Sequence, residues 1–320
     1  MICPPPHRSL LMLTRRHFLA GATSTLALPL LPRAMAARRR ERMMLGFGTY
    51  GTRGLSTEEA IRLIAESGYD AIELTVNAGW DASPEMMPAE RRKMIRDQLS
   101  ESGLELTSLM ESINPSADAT QQKKNLDRLR ASAELGRQLS AGHPPQVQTV
   151  LGGGSWEERR EMFVDRLGHW AELAEETGSV ISIKPHRGGA MSRPSQAAWI
   201  FRQLGNPRWL RMVYDFSHYI FRDMGLEETI RQAARYTNQV VVKDTVRTPD
   251  NGTTFVLPGE SGTIDYVRLL RLFHRHGFRG DVSCEVSSAV WRQEGYDPRA
   301  AVQTCYRNMS AAFEAAGLRR

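Results

Sequence analysis

Residues 66–74 read Glu66-Ser67-Gly68-Tyr69-Asp70-Ala71-Ile72-Glu73-Leu74, and the switch inside this stretch decides the fold. Glycine stands where a helix must stop, because it tolerates the left-handed backbone that closes a helix. An apolar run begins three residues later. The same joint recurs at Glu101-Ser102-Gly103, Glu176-Thr177-Gly178 and Arg275-His276-Gly277. Helix, glycine and strand in that order predict parallel βα units. Working outward gives eight rounds, with strands near 44–49, 71–74, 105–110, 147–151, 180–184, 211–214, 239–243 and 281–285. Helical patterns fall near 57–66, 88–101, 120–139, 156–176, 194–204, 226–235, 266–276 and 299–316, and Ser56 with Glu59 predicts a capping box on the first. Eight rounds predict an α/β chain closed as a (β/α)8 TIM barrel. A doubly wound open sheet would usually carry a Gly-rich phosphate turn after its first strand, and Gly46-Phe47-Gly48 has no third glycine three residues on.

The chain has 320 residues, 41% of them hydrophobic, which suits a single large core. Its formal charge of +6 sits mostly at one end. Residues 1–36 hold Arg8, Arg15, Arg16 and Arg33 and no acid, so this segment carries four of the six excess charges. No basic stripe interleaved with aromatics follows, and nucleic-acid binding is not expected. The same segment reads as a twin-arginine signal peptide. Thr14-Arg15-Arg16-His17-Phe18-Leu19 leads into a short, weakly apolar run, and Ala34-Met35-Ala36 fits a small-x-small cleavage site. We expect domains at 1–36 (signal), 37–43 (basic linker) and 44–320 (barrel), with the twin-arginine machinery as a partner and a periplasmic or extracellular destination. No later segment approaches the ~20 apolar residues of a membrane span. Beyond the leader, Cys284 and Cys305 lack any framework spacing and read as two buried free thiols.

In a barrel of this kind the chemistry lies at the C-terminal ends of the strands. Those ends carry Thr49 and Tyr50, Glu73, Glu111, Gly152 to Gly154, Lys184 with His186, Asp215 with His218, Lys243 with Asp244, and Glu285. Any one of these has an ordinary explanation as a surface or loop residue. Their recurrence at the same end of successive strands predicts a shared pocket.

At these residues the sequence resembles the sugar phosphate isomerase/epimerase family, or xylose-isomerase-like barrels, from about Met44 to Leu318. The resemblance rests on the order of residues 66–74, Lys184-Pro185-His186, Tyr214-Asp215-Phe216-Ser217-His218, Val241-Val242-Lys243-Asp244, residues 257–262 (Leu-Pro-Gly-Glu-Ser-Gly) and Glu285. It implies a divalent ion held by a glutamate, an aspartate, a histidine and a glutamate on strands five to eight. Asp215 and Glu285 match as metal ligands, but Lys184 stands at the glutamate position and Val241 at the histidine position. Two carboxylates are a poor site for manganese or magnesium, and a lysine at ~4 Å would repel a divalent ion by several kcal/mol even at an effective dielectric near 20. We therefore expect no cofactor in the usual place, with the Lys184 ammonium neutralising Asp215 and Glu285. A displaced site in which His186 and His218 join those two carboxylates around manganese or magnesium stays open.

The resemblance implies a sugar or keto-sugar isomerase or epimerase working by proton transfer next to a carbonyl, and the leader makes it an exported one. Glu285, Lys184, His186 and His218 are the candidates for catalysis. Glu73, Glu111, Trp80, Lys243 and Asp244 are the candidates for binding a small-molecule carbohydrate. A keto-sugar lyase or dehydratase would use the same groups. The alternative from another class is a non-catalytic carbohydrate-binding relative, with Tyr50, Trp80 and Trp156 stacking on sugar faces or merely packing. An endonuclease-like relative would need a larger set of metal ligands and a more basic surface.

Overall fold

The computed structural model describes residues 42–319. The signal peptide expected at 1–36 lies outside the described residues, as does the expected linker up to residue 41. Met43, at the end of that linker, is already buried in the core.

Eight parallel strands close into a barrel: β1 (Met44–Gly48), β2 (Ala71–Thr75), β3 (Glu105–Met110), β4 (Gln146–Thr149), β5 (Ile181–Ile183), β6 (Leu210–Tyr214), β7 (Thr237–Val242) and β10 (Asp281–Cys284). Closure comes from β1 pairing with both β2 and β10, in the register Phe47 to Ile72 and Phe47 to Cys284. Helices α1 (Thr57–Glu66), α2 (Ala89–Ser102), α3 (Ala119–Leu139), α4 (Trp156–Thr177), α5 (Pro194–Gln203), α6 (Leu226–Ala233), α7 (Tyr266–Arg275) and α9 (Pro298–Ala316) follow the strands. Each expected unit is present. The Ser56–Glu59 capping box forms at α1, and Gly103 and Gly178 close α2 and α4 at φ of 68° and 66°. Two features escape the βα count: α8 (Ser288–Trp291), and an antiparallel hairpin arm of β8 (Asp244–Arg247) and β9 (Thr253–Val256) growing straight out of β7. Thr248-Pro249-Asp250-Asn251-Gly252 makes its turn, with residue types that favour one.

The main apolar core lies between the barrel and its helices, where Ile72, Leu74, Ile181, Ile183, Met212 and Val242 alternate outward against Phe163, Trp170, Phe201 and Phe273. The inward faces are polar. Gln146 Nε2 donates to Gln239 Oε1 at 2.7 Å, and Ser182 Oγ to Gln146 Oε1 at 2.6 Å. Gln239 Nε2 reaches both Glu73 and Asp281 at 3.1 Å. Gly46 and Gly48 make room for those two acids. A Cβ on Gly46 would lie 2.3 Å from Asp281 Oδ1, and one on Gly48 3.1 Å from Glu73 Oε1. The Gly-x-Gly of β1 thus serves close packing inside the barrel. Cys284 and Cys305 are both buried and free.

Candidate functional site

Period-two alternation along each strand decides which side chains enter the barrel. On β7 it points Gln239, Val241 and Lys243 inward together, and on β10 Asp281, Ser283 and Glu285. The last members of these rows meet Lys184 from the end of β5 and Asp215 from the end of β6. Lys184 Nζ donates to Glu285 Oε2 at 2.6 Å and lies 3.9 Å from Asp215 Oδ2. Lys243 Nζ donates to Asp215 Oδ2 at 2.8 Å and to the other carboxylate oxygen of Glu285. Two ammoniums and two carboxylates therefore alternate around a closed ring. All four residues are buried, Glu285 most exposed at 7%.

The backbone after β6 finishes the site. Asp215 caps a short 3-10 turn, Phe216–His218, accepting from Ser217 N at 3.1 Å and Ser217 Oγ at 2.5 Å. The turn carries His218 back toward the ring, with Nε2 3.3 Å from Asp215 Oδ2. His218 is wholly buried, and that approach is not aligned as a hydrogen bond, so both ring nitrogens are without one. His186 packs against it with ring centroids 4.0 Å apart, and its Nδ1 accepts from Gly188 N at 3.1 Å. The arm then covers the group. Phe255 lies edge-on to His218 at 5.5 Å and has Lys243 Nζ 5.0 Å and the Arg187 guanidinium 4.9 Å from its ring centre.

The protonation states follow from burial and neighbours. Burial opposes the charge on Glu285, but the Lys184 and Lys243 ammoniums outweigh it and bring its carboxyl down to about 2. Asp215 is held well below the usual carboxylate range against the same burial penalty, chiefly by the Lys243 ammonium with Lys184 adding to it. Lys243 is raised above the usual lysine range because Asp215 and Glu285 overcome its burial. Burial lowers His218 to about 4, and burial with the nearby His218 and two lysines lowers His186 to about 2. Both imidazoles are neutral at pH 7. Glu73, deeper in the barrel, is shifted upward by burial.

A divalent ion does not fit this arrangement. The carboxylate oxygens that would face it are already bonded to ammoniums, and Val241 offers no donor. Among the described residues no group of three or more His, Cys, Asp or Glu is arranged to hold a metal. His186 and His218 come together, and His186 Nδ1 is taken up by Gly188 N.

Three residues expected at the substrate are engaged elsewhere. Glu111 accepts from Arg128 Nε at 2.7 Å and Ser132 Oγ at 3.2 Å, both on α3. Asp244 alternates away from Lys243 and accepts from Tyr266 Oη at 2.6 Å and from Ser261 N and Oγ at 2.9 and 2.7 Å, pinning the loop before α7. Glu73 is bonded inside the barrel to Gln239. Trp156 packs edge-on against Trp199 between α4 and α5. Trp80 does reach the mouth, stacked on Tyr50 at 5.4 Å and 17°, with Trp291 edge-on and Arg53 4.9 Å from its ring centre. Beside it a pocket of about 320 Å³ opens between the first two strand ends, lined by Thr49, Thr52, Arg53, Thr75, Trp80 and Asp81 among others.

Sequence reasoning gave Lys243 a place at the substrate and overlooked its bridge between both carboxylates, although strand alternation put it on the same face as Gln239. It also overlooked Ser217, signalled by an Asp-x-Ser turn, and Phe255, whose place depends on how the arm folds back.

The geometry is matched by likeness. A family model described as xylose isomerase-like TIM barrel matches residues 61–306. A Mus musculus protein named for hydroxypyruvate isomerase is 28% identical over 176 residues, spanning 50% of this chain and 59% of the mouse protein. Among solved structures, the IolI protein with a bound zinc atom superposes with a TM-score of 0.70 at 19% identity, covering 86% of this chain and 98% of that one. An L-ribulose 3-epimerase gives 0.66 at 16% identity, with 86% and 96% covered. The 3-keto-D-glucoside 4-epimerase of E. coli gives 0.65 at 14%, with 85% and 100% covered. At such identities the structures speak for the fold, while the family model spans most of the chain: this protein belongs to the xylose isomerase-like TIM barrel family.

Proposed function

We propose that the chain is a metal-independent carbohydrate-binding member of its family, holding a sugar or keto-sugar at the barrel mouth without the paired-carboxylate proton transfer of an isomerase. One observation carries this reading: the closed ring of Lys184, Glu285, Lys243 and Asp215 neutralises itself. A general base works best with a pKa near the operating pH. Here Glu285 and His186 lie near 2 and His218 near 4. The aromatic group of Tyr50, Trp80 and Trp291 beside the 320 Å³ pocket suits the apolar face of a sugar.

A second reading has its own support in the 2.6 Å contact of Lys184 with Glu285. If Lys184 turned onto a substrate carbonyl oxygen, Glu285 Oε2 would be freed, with Oε1 still held by Lys243, to take the proton from the neighbouring carbon, as an isomerase, epimerase or keto-sugar dehydratase requires. Incubating pentoses, hexoses and keto-sugars with the protein in deuterium oxide and a chelator separates the two. The binding reading expects saturable heat of binding and no enzyme-dependent deuterium in the recovered sugar. Deuterium next to the carbonyl, lost in Glu285→Gln, overturns it in favour of the isomerase. We also propose export through Arg15 and Arg16 with cleavage after Ala36. Undiminished export after replacing both arginines by lysine would refute that route.

A further inference from the structure

Four arginines stand around the loops after β5 and β6 and on the arm, Arg187, Arg193, Arg222 and Arg247, and among the described residues none is in an ion pair with a carboxylate. Elsewhere on the surface arginines pair readily, as Arg91 does with Glu58 and Asp81, or Arg130 with Glu176. Two of the four are anchored by neutral oxygens on successive residues. Arg187 donates to Ser217 O and Thr253 Oγ1, each at 2.5 Å. Arg222 donates to His218 O and Ser192 O at 3.3 Å and to Ser192 Oγ at 3.2 Å. Carbonyl and hydroxyl acceptors orient a guanidinium without cancelling its charge. Arg187 Nε is buried with no acceptor at all. Arg247 lies 4.6 Å from the ring centre of Phe221, the residue before Arg222, and Phe221 is held at a φ of 63°, a conformation rare for a bulky side chain. Burial lowers Arg187 and Arg222 below the ordinary arginine range; Arg222 lowers Arg187 further against the pull of the Asp215 carboxylate, and Arg193 lowers Arg222 further.

Positive charge gathered on side chains oriented by neutral oxygens, beside the ring of charges, is the arrangement that binds an oxyanion. Given the carbohydrate reading above, on which this rests, we infer that Arg187 and Arg222, helped by Arg193 and Arg247, form a subsite for an anionic group of the ligand. Carboxylate and phosphate share the required chemistry, so the ligand is an acidic sugar rather than a neutral one. Asp223, also in this loop, is exposed.

Titration calorimetry with chelator present tests this on three matched probes: glucose, glucuronate and glucose 6-phosphate, with inorganic phosphate as a fourth. At least one acidic sugar should bind about tenfold or more tightly than glucose, and the preference should shrink as salt rises. Arg222→Gln should reduce that preference about tenfold, and Arg247→Gln, on an exposed side chain that carries no risk to folding, should reduce it severalfold. Arg275→Gln on the outer helix α7 is the control. Glucose and the acidic sugars binding equally would overturn the anion subsite and leave the carbohydrate reading standing. Phosphate binding that Arg247→Gln weakens, with no sugar bound, would support the subsite and remove the carbohydrate reading. No binding of any probe would sink both.

Discussion

The two sides of the barrel mouth are built on different physics. At the ends of β5, β6, β7 and β10 four ionised side chains close on one another in a buried ring, under Phe255. At the ends of β1 and β2 three aromatic rings border a pocket lined by hydroxyls. The first side is rigid because a desolvated charge tolerates nothing but its partners. The second can accommodate a guest because aromatic faces and threonine hydroxyls line an open pocket, with the charges of Arg53 and Asp81 in its wall rather than locked in a buried ring. The difference teaches that charge at a barrel mouth can be framework: here two lysines and two carboxylates satisfy one another and leave no ligand set open.

The sharpest way to break the ionic side is Lys243→Met. It strips both carboxylates of a shared partner in the dry interior, and about 4 kcal/mol of unfolding free energy should be lost, read by urea titration at pH 7. Unchanged stability would mean that the ring contributes nothing. Acid provides the next largest effect. His218 binds its proton near pH 6.5 when unfolded and near 4 when folded, so the unfolded chain takes up more protons between those values. Stability should be complete above pH 6.5 and fall by about 3 kcal/mol as the pH drops to 4. Glu285 adds a further loss below pH 4.5, toward its folded value near 2. In His218→Gln the first phase should disappear and the second persist.

Lys184→Met is milder, because Lys243 keeps contact with both carboxylates. About 2 kcal/mol is expected, and a larger loss than for Lys243→Met would reverse the ranking drawn from the geometry. On the aromatic side Trp80→Ala should cost only about 1 kcal/mol of stability while weakening sugar binding about tenfold. A variant that unfolds yet binds normally when stabilised would show that Trp80 packs and does not bind. Manganese should leave the melting temperature of the natural protein unchanged. A saturable rise that Asp215→Ala abolishes would return the site to a metal.

The fold was legible because its signals are local. Glycine at the end of a helix, a capping serine and an apolar run each act within a few residues, and their repetition leaves little choice of architecture. The site was legible in part for the same reason: Lys184, Asp215 and Glu285 stand at strand ends, and the barrel brings strand ends together. Which partner each would take was not. Glu73 and Glu111 both stand near the C-terminal ends of their strands, yet one turns in toward Gln239 and the other out to Arg128 on α3. Position 244 follows Lys243 directly, and its carboxylate faces the opposite way to hold Ser261 and Tyr266.

By itself, then, the sequence determined the order of eight βα units, the Gly-x-Gly of β1 without a phosphate turn, and the placing of Lys184, Asp215 and Glu285 at the ends of their strands. Only the tertiary structure decided that Lys243 joins Lys184 in neutralising the carboxylates, that Phe255 covers them, and that Arg187 and Arg222 meet over one short turn. These are pairings between residues up to about a hundred positions apart. Such contacts are set by closure of the barrel and by the cost of leaving any buried charge unmatched, and no local pattern encodes that cost.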